Sequence, residues 1–138
     1  MSYLLDTNVI SELVSSKPNS NVIKWFSQIP STAIFLSVLT LGEIRKGVEK
    51  VKDNKRKKKL LIWLEHDLTE MFESRILPIS IQVADRWGRL QSQVTRTFPA
   101  IDSLIASTAL HHDMALVTRN VEDFVDCPGL EIINPWND

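Results

Sequence analysis

Four carboxylates stand at the ends of short apolar runs and helical stretches in this sequence: Asp6, Glu43, Asp102 and Asp123. If the elements carrying them meet along one sheet edge, the like charges repel, raise one another's pKa and require a cation. Oxygen-only ligands, without His or Cys, select a hard ion, Mg²⁺ or Mn²⁺. Such a site suits phosphodiester hydrolysis, in which a cation acidifies the attacking water and a carboxylate takes its proton. Thr118 and Asn120, close to Asp123, are neutral hydrogen bonders that orient a carboxylate, a water or a phosphate without adding charge. Structural explanations exist for the same residues. Asp6 suits a helix N-cap, Glu43 completes a capping box that begins at Thr40, and Asp102 complements a helix dipole. Taken separately, those roles imply no common site.

The elements that must position these groups can be read from periodicity. Tyr3-Leu4-Leu5 is a short apolar run that stops at Asp6, and Val9, Ile10 and Leu13 then recur at helical spacing. Asp6 is therefore expected at the carboxyl end of a first strand, where ligands sit in open α/β sheets. If Thr7 and Asn8 cap the following helix, Asp6 is left free. Residues 22–28 read as a second helix and residues 33–37 as a second strand. Leu41, Ile44, Val48 and Val51 mark a third helix; if Ser37 caps it, Glu43 falls on its second turn and has no capping role. The stretch from Pro99 to Leu110 has Ile101, Leu104, Ile105, Thr108 and Ala109 at helical spacing among small residues, with Pro99 just outside the start and Asp102 on the first turn. Further strands are expected at 76–79, 115–117 and 131–133, and a helix at 81–94 carrying Val83, Trp87 and Leu90 on one side.

Composition limits the function classes. The 138 residues are expected to form one domain, 43% hydrophobic and 24% charged, the balance of a soluble globular protein. No apolar run approaches a membrane span and no leader-like segment opens the chain, so a cytoplasmic protein is expected. One cysteine, Cys127, excludes an internal disulfide and any multi-cysteine metal site. A net charge of -1 gives no bulk case for nucleic-acid binding, so a basic surface must be local. The run from Lys52 to Lys59 supplies one: Lys55, Arg56, Lys57, Lys58 and Lys59 form either a solvated helix face or an arm that contacts RNA phosphates. It leads into Leu60, Leu61, Leu64, Leu68, Met71 and Phe72, an amphipathic stripe that packs inward or against a partner. His111 and His112 are expected as dipole partners at a helix C-terminus rather than as metal ligands.

Four segments in order, Leu4–Glu12, Ser37–Gly47, Asp102–Ala109 and Leu116–Phe124, resemble the PIN domain, and within it the toxin ribonucleases of the VapC and FitB type. The resemblance implies a three-layer α/β/α sandwich with a central parallel sheet. It also implies an Mg²⁺- or Mn²⁺-dependent endoribonuclease, the toxin of a toxin–antitoxin pair of the kind that confers plasmid stability. Asp6, Glu43 and Asp102 match the family's acidic metal-binding triad and Asp123 its more variable fourth position. Thr7, Asn8, Thr118 and Asn120 match polar positions around the site. The resemblance further implies a homodimer, and silencing by a cognate antitoxin that blocks the acidic pocket, in some cases within a higher assembly. Two other classes stay open: an RNA-binding or scaffold module on the same fold with hydrolysis weak or lost, and a phosphotransfer enzyme with Asp6 as nucleophile. Against the latter, Asn8 stands where a second aspartate is usual.

Overall fold

Alternation along the strands decides how the layers form. In the computed structural model, which describes residues 1–137, β1 (Tyr3–Leu5) points Leu4 to one face of the sheet and Tyr3 and Leu5 to the other. In β2 (Ile34–Ser37), Ile34 and Leu36 join Leu5, while Phe35 packs on the side of Leu4. In β4 (Ala115–Val117), Leu116 and Val117 divide in the same way. Both faces of the sheet are thus apolar, as buried parallel strands require. β3 (Ile76–Leu77) and β5 (Ile132–Ile133) complete a five-stranded sheet of order β3-β2-β1-β4-β5, with every pairing parallel.

Helices cover each face. On the first lie α1 (Thr7–Leu13), α2 (Ser20–Ser27), α3 (Val38–Glu49), α4 (Asn54–Ile62), a π-helical turn (Trp63–Leu68) and the short α5 (Thr69–Met71). They bury Val9, Ile10, Val22, Ile44, Val48, Leu64, Leu68 and Phe72 against the sheet. On the second face, α6 (Ile81–Gln93) and α7 (Ala100–His111) bring Leu90, Ile105, Ala106 and Ala109 onto Leu4 and Leu116. The result is the expected α/β/α sandwich with a central parallel sheet.

Several local expectations change. The second strand starts one residue later, after a 3-10 turn at Ser31–Ala33, and the strand expected at 76–79 shrinks to two residues before Pro78. A proline cannot donate to the ladder, which ends the pairing there. Within the amphipathic stripe, Met71 is half exposed, because the π turn shifts the helical phase just ahead of it. In α7 the expected Ile105, Thr108 and Ala109 are buried, joined by Ser103, Ala106 and Ser107, while Leu104 is half-buried and Ile101 faces outward. The small side chains among them let α6 lie close against α7.

Candidate active site

The strand order places a topological switch point at β1, flanked by β2 and β4. Chains leave the two neighbours of β1 in opposite directions there, opening a crevice at the carboxyl ends. Asp6 follows β1 directly, Thr118 follows β4, and Ser37, the last residue of β2, caps the helix that bears Glu43. Asp102 reaches the same edge from the first turn of α7. Asp6, Glu43 and Asp102 line a single cleft of about 430 Å³ together with Thr7, Asn8, Ser11, Glu12, Arg119, Asn120 and Trp136.

Asp6 does two things at once. Its Oδ1 accepts from the Thr7 N–H at 2.8 Å and caps α1, so it is Asp6, and not Thr7 or Asn8, that caps this helix. Its Oδ2 accepts from the Thr118 hydroxyl at 2.8 Å and from Asn8 Nδ2 at 3.5 Å. Thr118 Oγ1 in turn accepts from Asn8 Nδ2 at 3.2 Å and from the Asn120 N–H at 3.1 Å. Glu43 is held by a 2.6 Å hydrogen bond from Thr7 Oγ1. The capping-box alternative for Glu43 fails: Ser37 is the N-cap of α3, accepting from the Leu39 N–H, which leaves Glu43 on the second turn and turned to the cleft.

Electrostatics at this edge are those of crowded acids. Burial pushes the Asp6 carboxyl above its ordinary value; the hydrogen bonds from Thr118 and Thr7 oppose that, while Glu43 and Asp123 add to it. The Asp102 carboxyl is raised too, by burial first and then by Asp6, Asp123 and Glu43, with Arg96 opposing. Asp123 therefore lies within electrostatic reach of both, but it opens onto a neighbouring cleft shared with Arg119 and Asn120 and does not line the first. It sits in a 3-10 turn, Val121–Asp123, whose carbonyl at Asp123 accepts from Arg96 at 2.6 Å.

Among the described residues no three acids or histidines close into a metal-ligand cluster. The carboxylates instead line an open cleft. Their donor chemistry fits a hard divalent cation: carboxylate oxygens with raised proton affinity, and hydroxyl and amide groups that complete their hydrogen bonds.

The expected basic run forms most of α4. Arg56 lines an apolar groove that adjoins the acidic cleft and shares Thr7, Ser11 and Glu43 with it, whereas Lys57 is engaged by Glu49 at 3.4 Å. Lys55, Lys58 and Lys59 are exposed and line none of these hollows. His111 and His112 close α7 on the surface, as expected; the His112 pKa is lowered from its ordinary value, by burial and then by His111, whose ring lies at 4.7 Å. Sequence patterns missed Ser11, Glu12, Arg119 and Trp136 as lining residues. Glu12 and Arg119 lie inside the resembling segments, but nothing in their spacing set them apart.

A PIN domain family model matches residues 3–128. The chain belongs to the PIN domain family. Toxin FitB of Neisseria gonorrhoeae is 34% identical over 138 residues, 98% of this chain and 99% of its own. VapC ribonuclease Y4jK of Sinorhizobium fredii is 32% identical, covering 96% of each chain. The crystal structure of FitAcB from Neisseria gonorrhoeae superposes with a TM-score of 0.93 at 33% identity, covering 99% of both chains. Within the PIN domain, the matched span takes in all four acidic positions and leaves Trp136 beyond it. No helix among the described residues is long and apolar enough to cross a membrane.

Proposed function

We propose that this protein is a metal-dependent endoribonuclease, the toxin of a toxin–antitoxin pair, hydrolysing RNA phosphodiester bonds in the cytoplasm. What carries the proposal is the convergence of Asp6, Glu43 and Asp102, from three separate elements, on one cleft at the switch point of the sheet. The curated relatives named as ribonucleases and toxins support it. So do solved relatives described as toxin–antitoxin complexes, among them VapBC2 from Rickettsia felis bound to a promoter DNA fragment.

On this reading Asp6, Glu43 and Asp102 hold Mg²⁺ or Mn²⁺, with Asp123 contributing from the adjoining cleft. When bound, the cation supplies charge neutralisation and Lewis-acid polarisation of the phosphoryl group. The chain's own groups do the rest. Thr7 fixes Glu43, and Thr118 with Asn8 fixes Asp6, so neither carboxylate reorganises when substrate enters. A carboxylate of this set takes the attacking water's proton. Asn120, held by Thr118, presents its amide to the substrate side, and Arg56 with its neighbours on α4 extends the path for RNA. A homodimer and an antitoxin that covers the acidic cleft complete the proposal.

The experiment that tests it is cleavage of total cellular RNA by the purified protein in Mn²⁺, Mg²⁺ and EDTA, with Asp102→Asn alongside. Cleavage that needs the ion and falls at least 10³-fold in the variant is expected. RNA binding indifferent to divalent ions, without cleavage, would favour the scaffold alternative.

A further inference from the structure

The acidic cleft poses a problem for its own substrate. Asp6, Glu12, Glu43 and Asp102 line it, and an RNA strand entering carries a negative charge on every phosphate. A divalent ion compensates at the scissile group, but the flanking phosphates need a cation of their own. Arg119 is the one basic side chain that lines the cleft, and it also lines the adjoining cleft that holds Asp123, so it stands on the wall between them.

Two features make Arg119 more than a surface arginine. Its backbone N–H donates to Asn8 Oδ1 at 3.2 Å, which ties its position to the Asn8–Thr118–Asp6 network that fixes the first carboxylate. Its guanidinium lies over the ring of Trp136, 5.4 Å from the centroid. Trp136 is itself positioned, its N–H donating to Asn134 Oδ1 and its carbonyl accepting from Asn21 Nδ2 at 2.9 Å. A guanidinium stacked on an aromatic face keeps its edge donors free, and a planar fork of donors matches a phosphate bidentately. Among the described residues no carboxylate stands within ion-pair distance of it.

We propose that Arg119, braced on Trp136, is the substrate clamp of this enzyme: it takes the RNA phosphate adjacent to the one cleaved, and so sets the register of the strand over Asp6, Glu43 and Asp102. Trp136 is a positioning residue that acts through Arg119. The proposal rests on the ribonuclease reading above, and binding measured without cleavage separates the two.

The test is fluorescence anisotropy with a labelled single-stranded RNA of mixed sequence, across a salt series in Ca²⁺, a hard cation that neutralises the cleft carboxylates, with the RNA checked intact on a gel after each titration. Arg119→Ala is expected to weaken binding about tenfold and to reduce the salt slope by about 0.7, the value for one phosphate contact on a single strand. Arg119→Lys recovers the slope but not the full affinity, since an ammonium lacks the fork. Trp136→Phe keeps a ring under the guanidinium and stays within twofold of wild type, while Trp136→Ala, which also loses packing against the core but is assayed well below its unfolding midpoint, falls towards Arg119→Ala. Arg89→Ala removes one positive charge from α6, where Arg89 pairs with Asp85, and serves as the control. An unchanged slope in Arg119→Ala, an equal loss in Arg89→Ala, or no binding by the folded wild type would each overturn the clamp. Metal-dependent RNA cleavage by the wild type is scored separately: its absence alongside an Arg119-dependent slope defeats the ribonuclease reading and leaves Arg119 as an RNA contact.

Discussion

Thr7 Oγ1 and Glu43 Oε1 lie 2.6 Å apart, joining the first residue of α1 to the second turn of α3 across the mouth of the acidic cleft. A hydrogen bond to a carboxylate contributes about 1.5–3 kcal/mol where it is sheltered. Thr7→Val keeps the shape and removes the donor, freeing Glu43 to swing. We expect kcat/KM for RNA cleavage to fall roughly 10–100-fold, with Thr7→Ser close to wild type. Steady-state kinetics at saturating Mn²⁺ checks this, and equal activity of the Val variant would show that Glu43 needs no such anchor.

Thr118 lowers the Asp6 carboxyl against the upward push of burial. Removing that donor in Thr118→Val therefore raises Asp6 further, and the acid limb of the pH–rate profile shifts to higher pH, by about one unit if the lost bond is worth about 1.4 kcal/mol. A profile that does not move, with the variant folded, would separate Asp6 from the rate-limiting ionisation.

The contribution of Asp6 and Asp102 to metal-free stability should fall as pH rises. The Asp6 and Asp102 carboxyls are raised in the folded protein, so the folded state holds their protons more tightly than the unfolded chain does. Their contribution is complete below the ordinary aspartate value and is lost as pH climbs through the raised values. A divalent ion that binds only the folded, ionised site restores it. At a hundredfold excess over its dissociation constant the gain is about 2.7 kcal/mol, or about 9 °C in Tm for a chain of this size. Scanning calorimetry at pH 7.5 should show that shift with Mn²⁺, and little at pH 4. Asp102→Asn should lose most of it.

The three acids that line the cleft stood out in the sequence because each sits where a local pattern changes: Asp6 after an apolar run, Glu43 on the second turn beyond a cap, Asp102 just inside a proline-led helix. That β1 lies between β2 and β4, which brings them together, depends on long-range pairing such as Tyr3 with both Ile34 and Ala115, and no local period encodes that. The same holds for Trp136, which reaches the cleft from beyond β5, and for Arg119, whose role arises from what it stacks on. For His112 the place at a helix end was legible, while the lowering of its pKa by burial and by the neighbouring His111 was not.

Asp123 should matter less than its place in the motif suggests. It lines the neighbouring cleft, on a turn pinned by Arg96, which pairs with Asp126 at 2.9 Å and donates to the Asp123 carbonyl. We expect Asp123→Asn to reduce cleavage about tenfold, against 10³-fold or more for Asp6→Asn or Asp102→Asn. Parallel kinetics of the three variants decides it. Losses of equal size would place all four carboxylates in one working set.

Ser103, next to Asp102, is fully buried and accepts from Trp87 Nε1 at 2.8 Å and from Gln91 Nε2 at 2.9 Å while donating to the Ala100 carbonyl at 3.0 Å. Gln91 also donates to the Phe98 carbonyl, so α6 grips both the entry loop and the first turn of the helix that presents Asp102. Ser103→Ala leaves the Trp87 indole N–H without its partner and takes one of two acceptors from Gln91, which keeps the Phe98 carbonyl, at a cost of about 1–3 kcal/mol where the indole finds no other partner. We expect the urea midpoint to fall accordingly. Ser103→Thr adds a methyl group where α6 and α7 pack closely, so it should not rescue stability despite restoring the hydroxyl. If Ser103→Ala is as stable as wild type, the indole and amide of α6 must find water instead, and the grip on Asp102 would be a matter of packing alone.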